Sequence, residues 1–253
     1  MRKFKIEWVF ICALLLTVIE SSDSFSQTYI TTQLKNVRVK TAWANKSAGI
    51  KKLLAEKKIS LDKLEIFIRA FKTEGKLEVW AKNKADVKFV LYKTYDVCAK
   101  SGVLGPKLKQ GDGQVPEGIY GINRFNPTST YYLSLGLNYP NAADKIRSKA
   151  KDLGGDIFIH GKCVTIGCLP LTDEWIEEVY MLSVCAKSAG QKEIKVHIFP
   201  FRLTEKNLRM AIHTDEGKSQ QYFWGNLKMV YSYFEANQKV GVWKVDVLGR
   251  YQQ

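Results

Sequence analysis

Between Gly154 and Tyr180 the chain reads GGDIFIHGKCVTIGCLPLTDEWIEEVY, and this stretch restricts the fold more than any other. The apolar run Ile157 to Ile159 has the length and β-branching of a short buried strand, and it ends in His160-Gly161. Thr165-Ile166-Gly167-Cys168 follows, Pro170 interrupts the chain, and from Thr172 the apolar spacing becomes that of a helix. Strand, turn and helix therefore succeed one another. His160 and Cys168 fall at the mouth of that unit, where side chains leave a rigid edge.

The flanking segments supply the rest of a sheet. Leu64, Ile66 and Ile68 alternate with other residues, Glu74-Gly75 marks a turn, and Val87 to Tyr95 is rich in β-branched and aromatic residues. This predicts three antiparallel strands over 64–98. Two more are expected over 119–139, one at 194–199 carrying His197, and a last one at 242–247. The glycine-rich stretch 99–118 has no Gly-Lys-Ser/Thr ending and no helix after it, so it reads as a turn-rich loop rather than a phosphate cradle. Lys107 and Lys109 in it either meet a carboxylate or are solvated. Helical spacing places Ala48, Ile50, Leu53 and Leu54 on one face of an N-terminal helix, with Ser60 as cap of a further turn. A short basic helix is expected around 145–151, and another at 173–189, capped by Thr172 and ended by Gly190. A third stretch, 204–234, reads as helical with a break at Phe223-Trp224-Gly225. The reading is a mainly β core over 61–203 in a mixed sheet, a helical segment at 27–60, and a helical extension at 204–253.

The first residues carry a basic start, Arg2, Lys3 and Lys5, then an apolar run from Trp8 to Ile19, then Ser24-Phe25-Ser26. That is the pattern of a secretory leader over 1–26, cleaved after Ser26. About a dozen apolar residues is short of the roughly 20 a membrane span needs. Cys12 lacks the small residues of a lipoprotein signal before it. Three basic and three acidic residues leave together, so the mature chain keeps the formal charge of +14. An exported basic protein is not expected to meet nucleic acid; the cell wall is the expected anion, with peripheral membrane contact open. Composition does not reveal the oligomeric state.

His160 and Cys168 form a candidate base and nucleophile. A thiol with an ordinary pKa of about 8.5 needs a base or a positive field to react at neutral pH. Gly161 and Gly167 let backbone approach closely, the amides of Gly167 and Cys168 are candidate oxyanion donors, and the helix after Thr172 adds a field if it points at the sulfur. Spacing alone leaves alternatives open: a buried structural pair, a zinc site from His160, Cys163 and Cys168, or a disulfide from Cys163 or Cys185 that consumes Cys168. Pairing among Cys98, Cys163 and Cys185 is undetermined, and so is the role of His197.

The segment HGKCVTIGC, residues 160–168, resembles the signature of the L,D-transpeptidase (YkuD-type) catalytic domain, and most of all its YafK-like branch. Leu171-Thr172-Asp173-Glu174 fits that branch. So do Tyr95 to Gly102, Leu104 to Lys107, Gly111 to Gly118, Tyr139-Pro140-Asn141 with Asp144, and His197 to Arg202. The resemblance covers about 64–235. It implies a barrel-like sandwich fold, Cys168 as nucleophile, His160 as base, Gly167, Thr165 and Gly161 shaping the site, and no metal or organic cofactor. It implies a periplasmic enzyme of wall biogenesis and cell shape that acts on peptidoglycan stem peptides. Cys168 would attack the carbonyl of the third stem residue, release D-Ala and form a thioester that an amine accepts; water as acceptor gives hydrolysis. A wall-binding protein without turnover is the alternative of another class. Where many members of the wider family have a second histidine, this chain has Ile166.

Overall fold

The computed structural model describes residues 29–253; the expected leader and Cys12 lie outside the described residues. Eight strands form one mixed sheet: Leu64–Phe71 (β1), Lys76–Asn83 (β2), Val90–Asp96 (β3), Gly118–Ser129 (β4), Tyr132–Leu137 (β5), Phe158–His160 (β6), Leu169–Pro170 (β7) and Lys195–Phe199 (β8). Their order is β3-β2-β1-β8-β4-β5-β6-β7. The β1–β8 and β6–β7 pairs are parallel and the others antiparallel. Its two outer strands meet at one point. Just beyond β3, the Cys98 amide donates to the Pro170 carbonyl in β7 (3.1 Å), and Cys98 is bonded to Cys163. The sheet is therefore curled and barrel-like, as the resemblance implied.

Strand alternation assigns the two faces. Ile66, Ile68 and Ala70 of β1 and Val196 and Ile198 of β8 point into one core, which the N-terminal helix Val37–Glu56 and the central helix Asp173–Ser188 complete. Thr172 caps the central helix through the Trp175 amide, and Gly190, at φ +94°, follows its end. Phe67, Arg69 and Phe71 of β1 alternate with those residues and meet the C-terminal helix Asp215–Asn237 through Phe234 and Tyr231. His197 and Phe199 of β8 share that face, and the His197 ring lies 4.7 Å from the Phe67 ring. His197 is a core residue remote in chemistry from His160: fully buried, with neither ring nitrogen hydrogen-bonded.

The C-terminal helix is anchored by charge as well as packing. Arg69, buried, pairs with Glu78 (2.8 Å) and reaches Glu235 of the helix (2.6 Å). Its guanidinium lies 4.6 Å from the Phe234 ring centroid and 5.0 Å from that of Trp80. Arg69→Met is expected to cost about 3 kcal/mol, because it takes the buried guanidinium from both Glu78, which keeps only Arg202 and the Trp80 indole, and Glu235. Adding Glu78→Gln should recover part of that loss in urea unfolding. A cost below about 1 kcal/mol would contradict this anchoring.

Four expectations need correction. The helix at 204–234 does not break at Phe223-Trp224-Gly225; it breaks at 212–214, between Glu205–Ala211 and Asp215–Asn237. Trp224 is fully buried and donates to Glu117 (2.8 Å), so tertiary contacts outweigh the roughly 1 kcal/mol that Gly225 costs a helix. Thr214 caps the second segment, and a Cβ on Gly217 would fall 1.8 Å from the Ala211 carbonyl. The strand expected at 242–247 shrinks to Lys244–Val245 paired with Tyr251–Gln252, since Val242 and Val247 have no buried face. The short basic helix is Ala142–Arg147, begun early by a reciprocal cap between Asn141 and Asp144. Ser60 makes no capping bond; its hydroxyl bonds to Asp62 beside a single 3₁₀ turn.

Candidate active site

His160 closes β6, with Ser134 of β5 and Pro170 of β7 as its ladder neighbours. Its Nδ1 lies 2.6 Å from the Gly161 carbonyl oxygen. A carbonyl only accepts, so Nδ1 carries the hydrogen and Nε2 keeps the lone pair. The ring packs on Tyr131, centroids 4.7 Å apart. Burial pushes the imidazole pKa below its ordinary value, and the Gly161 bond works against that shift. The neutral base form therefore predominates at pH 7.

Cys168 immediately precedes β7. The register pairs Ile159 with Leu169 and His160 with Pro170. One step back, Cys168 stands beside Phe158, on the same sheet face as His160. Strand spacing and rise put the 160 and 168 backbones roughly 8 Å apart, a gap that an imidazole and a thiol on one face can bridge. The thiol is free. In this structure it donates to the Asp156 carbonyl (3.5 Å) and not to the imidazole. Burial pushes its pKa up; the Phe158 backbone bond and Lys107 oppose the rise, while Asp156 adds to it. The resting pair is therefore thiol and neutral imidazole rather than an ion pair. Cys168 is among the residues that line a cavity of about 210 Å³, with Phe71, Lys72, Lys100, Leu104 and Leu169; His160 is not among them.

Thr165 organises the turn. Its hydroxyl accepts from the amides of Gly167 (3.1 Å) and Cys168 (2.8 Å) and donates to the Cys168 carbonyl (2.9 Å). The two amides expected to stand free for an oxyanion are thus engaged, because a hydroxyl two and three residues upstream reaches them first. Thr165→Val removes all three bonds. It should lower kcat/KM by about 10- to 100-fold, since two amides lose partners worth about 1–3 kcal/mol each if buried. Thr165→Ser should restore most of the rate, and equal rates for Val and Ser would contradict the role.

The glycines shape the site sterically. A Cβ on Gly161 would lie 2.6 Å from Asp173 Oδ1 and 2.9 Å from the Tyr131 carbonyl. Gly167 has φ +139°, and a Cβ there would lie 3.0 Å from the Gln114 carbonyl. The loop 99–118 thus packs directly against the residue before Cys168. Lys107 in that loop meets a carboxylate of its own chain, Asp112, at 2.6 Å. The central helix points its start at the His-Gly turn rather than at the sulfur: Asp173 accepts from the Lys162 amide (2.8 Å).

Cys163 is bonded to Cys98, which removes it from a zinc set and from pairing with Cys168; Cys185 is free and buried. Among the described residues no cluster of three or more His, Cys, Asp or Glu is placed to hold a metal ion. Ile166 is 88% exposed. Sequence reasoning did not pick out Tyr131, which packs on the His160 ring, or Asp156, whose carbonyl holds the Cys168 thiol. Tyr131 comes from a distant segment that the sheet register brings in; Asp156 stands only four residues before His160, and nothing in its residue type marks its backbone carbonyl as a partner for the thiol.

Residues 65–186 match the family model of the L,D-transpeptidase catalytic domain, YkuD. The chain is also 36% identical over 188 residues to the L,D-transpeptidase candidate YafK of Escherichia coli (strain K12), covering 74% of this chain and 72% of that protein. This chain belongs to the L,D-transpeptidase catalytic-domain family. The YafK sequence of Escherichia coli O157:H7 matches to the same extent. Among solved structures, the helical cell shape determining protein Pgp2 of Campylobacter jejuni aligns with a TM-score of 0.44 at 20% identity, over 73% of this chain and 74% of that one. Bd1075 of Bdellovibrio bacteriovorus aligns with a TM-score of 0.38 at 20% identity, over 67% and 62%. The L,D-transpeptidase match at 65–186 includes every residue of the site described above, while the C-terminal helix lies outside it.

Proposed function

We propose that this chain is an exported, periplasmic cysteine L,D-transpeptidase acting on peptidoglycan stem peptides. One observation carries the reading most: the Nδ1 bond to Gly161 leaves Nε2 as proton acceptor on the strand beside a free Cys168 at the edge of a cavity. In the reaction, Nε2 takes the Cys168 proton as the sulfur attacks the carbonyl of the third stem residue. The C–N bond to the terminal residue breaks, the departing amine takes the proton from the imidazolium, and a thioester remains. An acceptor amine then gives its proton to Nε2 and attacks the thioester, and the sulfur leaves as the restored thiol. The developing oxyanion reaches the Gly167 and Cys168 amides only by displacing the Thr165 hydroxyl, so that hydroxyl holds the donors in place until substrate arrives.

Muropeptide profiling tests this reading. Purified protein should convert tetrapeptide muropeptides into new crosslinked species with release of the terminal residue. Tripeptides alone would mark water as the acceptor and replace transfer by hydrolysis. An unchanged profile, with wall binding retained, would contradict catalysis.

A further inference from the structure

One buried ion pair holds the loop that walls the cavity beside Cys168. Leu104 and Val115, near the two ends of that loop, line the cavity with Cys168. Gln114 sets its carbonyl against Gly167. Both ends of the loop are tied to the same two side chains. The Lys72 ammonium donates to the Gly105 carbonyl (2.8 Å), the Val115 carbonyl (3.0 Å) and Glu117 Oε1 (2.9 Å). The same carboxylate oxygen accepts from the Gly105 amide (2.7 Å). Glu117 is fully buried and Lys72 nearly so. An ammonium has three donors, and here all three are spent on the neck of one loop. Releasing that neck would leave buried charges without their bonds, so the clamp resists opening.

The other carboxylate oxygen faces the C-terminal helix. Glu117 Oε2 accepts from Trp224 Nε1 (2.8 Å), and the buried indole packs on Phe201, ring centroids 5.2 Å apart. Gln220, one turn earlier, also backs the neck: a Cβ on Gly105 would lie 3.7 Å from Gln220 Cδ. This helix lies outside the family match at 65–186, yet it supplies the back of the clamp.

We propose that Glu117 and Lys72 are positioning residues that hold segment 105–115 as a wall of the substrate cavity, and that the C-terminal helix sets their hold through Trp224. The consequence for turnover, but not the clamp itself, rests on the peptidoglycan reading above. The helix is then a working part of the site and not only a cover for the sheet.

Labelling of Cys168 by iodoacetamide at fixed pH, followed by peptide mass mapping, reads the wall without turnover. Trp224→Phe removes one bond to the carboxylate and keeps a ring against Phe201. Cys168 should then label about 10-fold faster or more, as expected for losing one hydrogen bond to a charged group. Cys185, buried in the core, should stay unlabelled over the same interval. Glu117→Gln should speed Cys168 labelling at least as much. Adding Trp224→Phe to Glu117→Gln should change the rate by less than about twofold, because the helix acts through the carboxylate. On a stem tetrapeptide, Glu117→Gln should raise KM about 10-fold and leave kcat within about threefold. An unchanged Cys168 rate in Trp224→Phe overturns the inference. So does labelling of Cys185 in step with Cys168, which would mark general unfolding, or a fall in kcat at unchanged KM. Effects that multiply in the double variant would overturn the part given to the helix. Should Glu117→Gln not fold, the Trp224→Phe labelling decides alone. Faster labelling, found together with an unchanged muropeptide profile for the unaltered enzyme, keeps the clamp and overturns the transpeptidase reading alone.

Discussion

Cys168→Ala is expected to remove stem-peptide turnover by a factor on the order of 10⁴ or more while leaving the fold intact, since the side chain supplies the attacking atom and little packing. His160→Gln should cost nearly as much, because the two act as one unit. Their pH behaviour separates the roles. Burial holds the imidazole below its ordinary pKa, so kcat/KM should stay flat through neutrality and fall on the acid side, below about 6.5, where the base protonates. Burial raises the thiol pKa above its ordinary value, so the protonated thiol predominates at pH 7. Alkylation of Cys168 by iodoacetamide should therefore be slow at pH 7 and rise above pH 9. A midpoint near pH 6 would instead indicate a resting ion pair and contradict the neutral arrangement.

Acid should destabilise the fold through His197. Burial, aided by Arg69 and Lys195, pushes this imidazole from 6.5 down to about 3. Its folded pKa is depressed, so the unfolded chain binds the extra proton first and stability is lost as pH falls from about 6.5 toward 3. At about 1.4 kcal/mol per pH unit the full loss is roughly 4–5 kcal/mol, a large part of a typical domain's stability. His197→Leu should remove most of this slope. It should also add about 1 kcal/mol at pH 7, because two buried ring nitrogens without partners disappear. Urea unfolding at pH 7 and pH 4 measures both effects, and an equal acid loss in the variant would place the titration elsewhere.

Much of the candidate site around His160 and Cys168 was legible because its parts are local. A short apolar run, His-Gly, Gly-Cys, proline and a threonine cap lie within one stretch, and each constrains its own neighbours. The strands of 64–98 were legible for the same reason, through alternation and the Glu74-Gly75 turn. What escaped depends on distant partners. The Cys98–Cys163 bond requires the outer edges of the sheet to meet, and no spacing in the chain encodes that. Phe223-Trp224-Gly225 reads as a break until Glu117 is seen to receive the Trp224 indole hydrogen. The Gly167 and Cys168 amides look free until Thr165 is folded back onto them. The role of His197 stays open in sequence; in structure it is a core residue, because β8 turns it toward Phe67.

The central claim is that the Cys168 sulfur takes the acyl group. Mass spectrometry of the protein mixed briefly with a disaccharide tetrapeptide measures this directly. The account predicts an adduct of the substrate less its terminal residue, mapped to the peptide that contains Cys168, lost on hydroxylamine treatment and missing from Cys168→Ala. Product formation with no adduct on that peptide, or an adduct that survives Cys168→Ala, would contradict it.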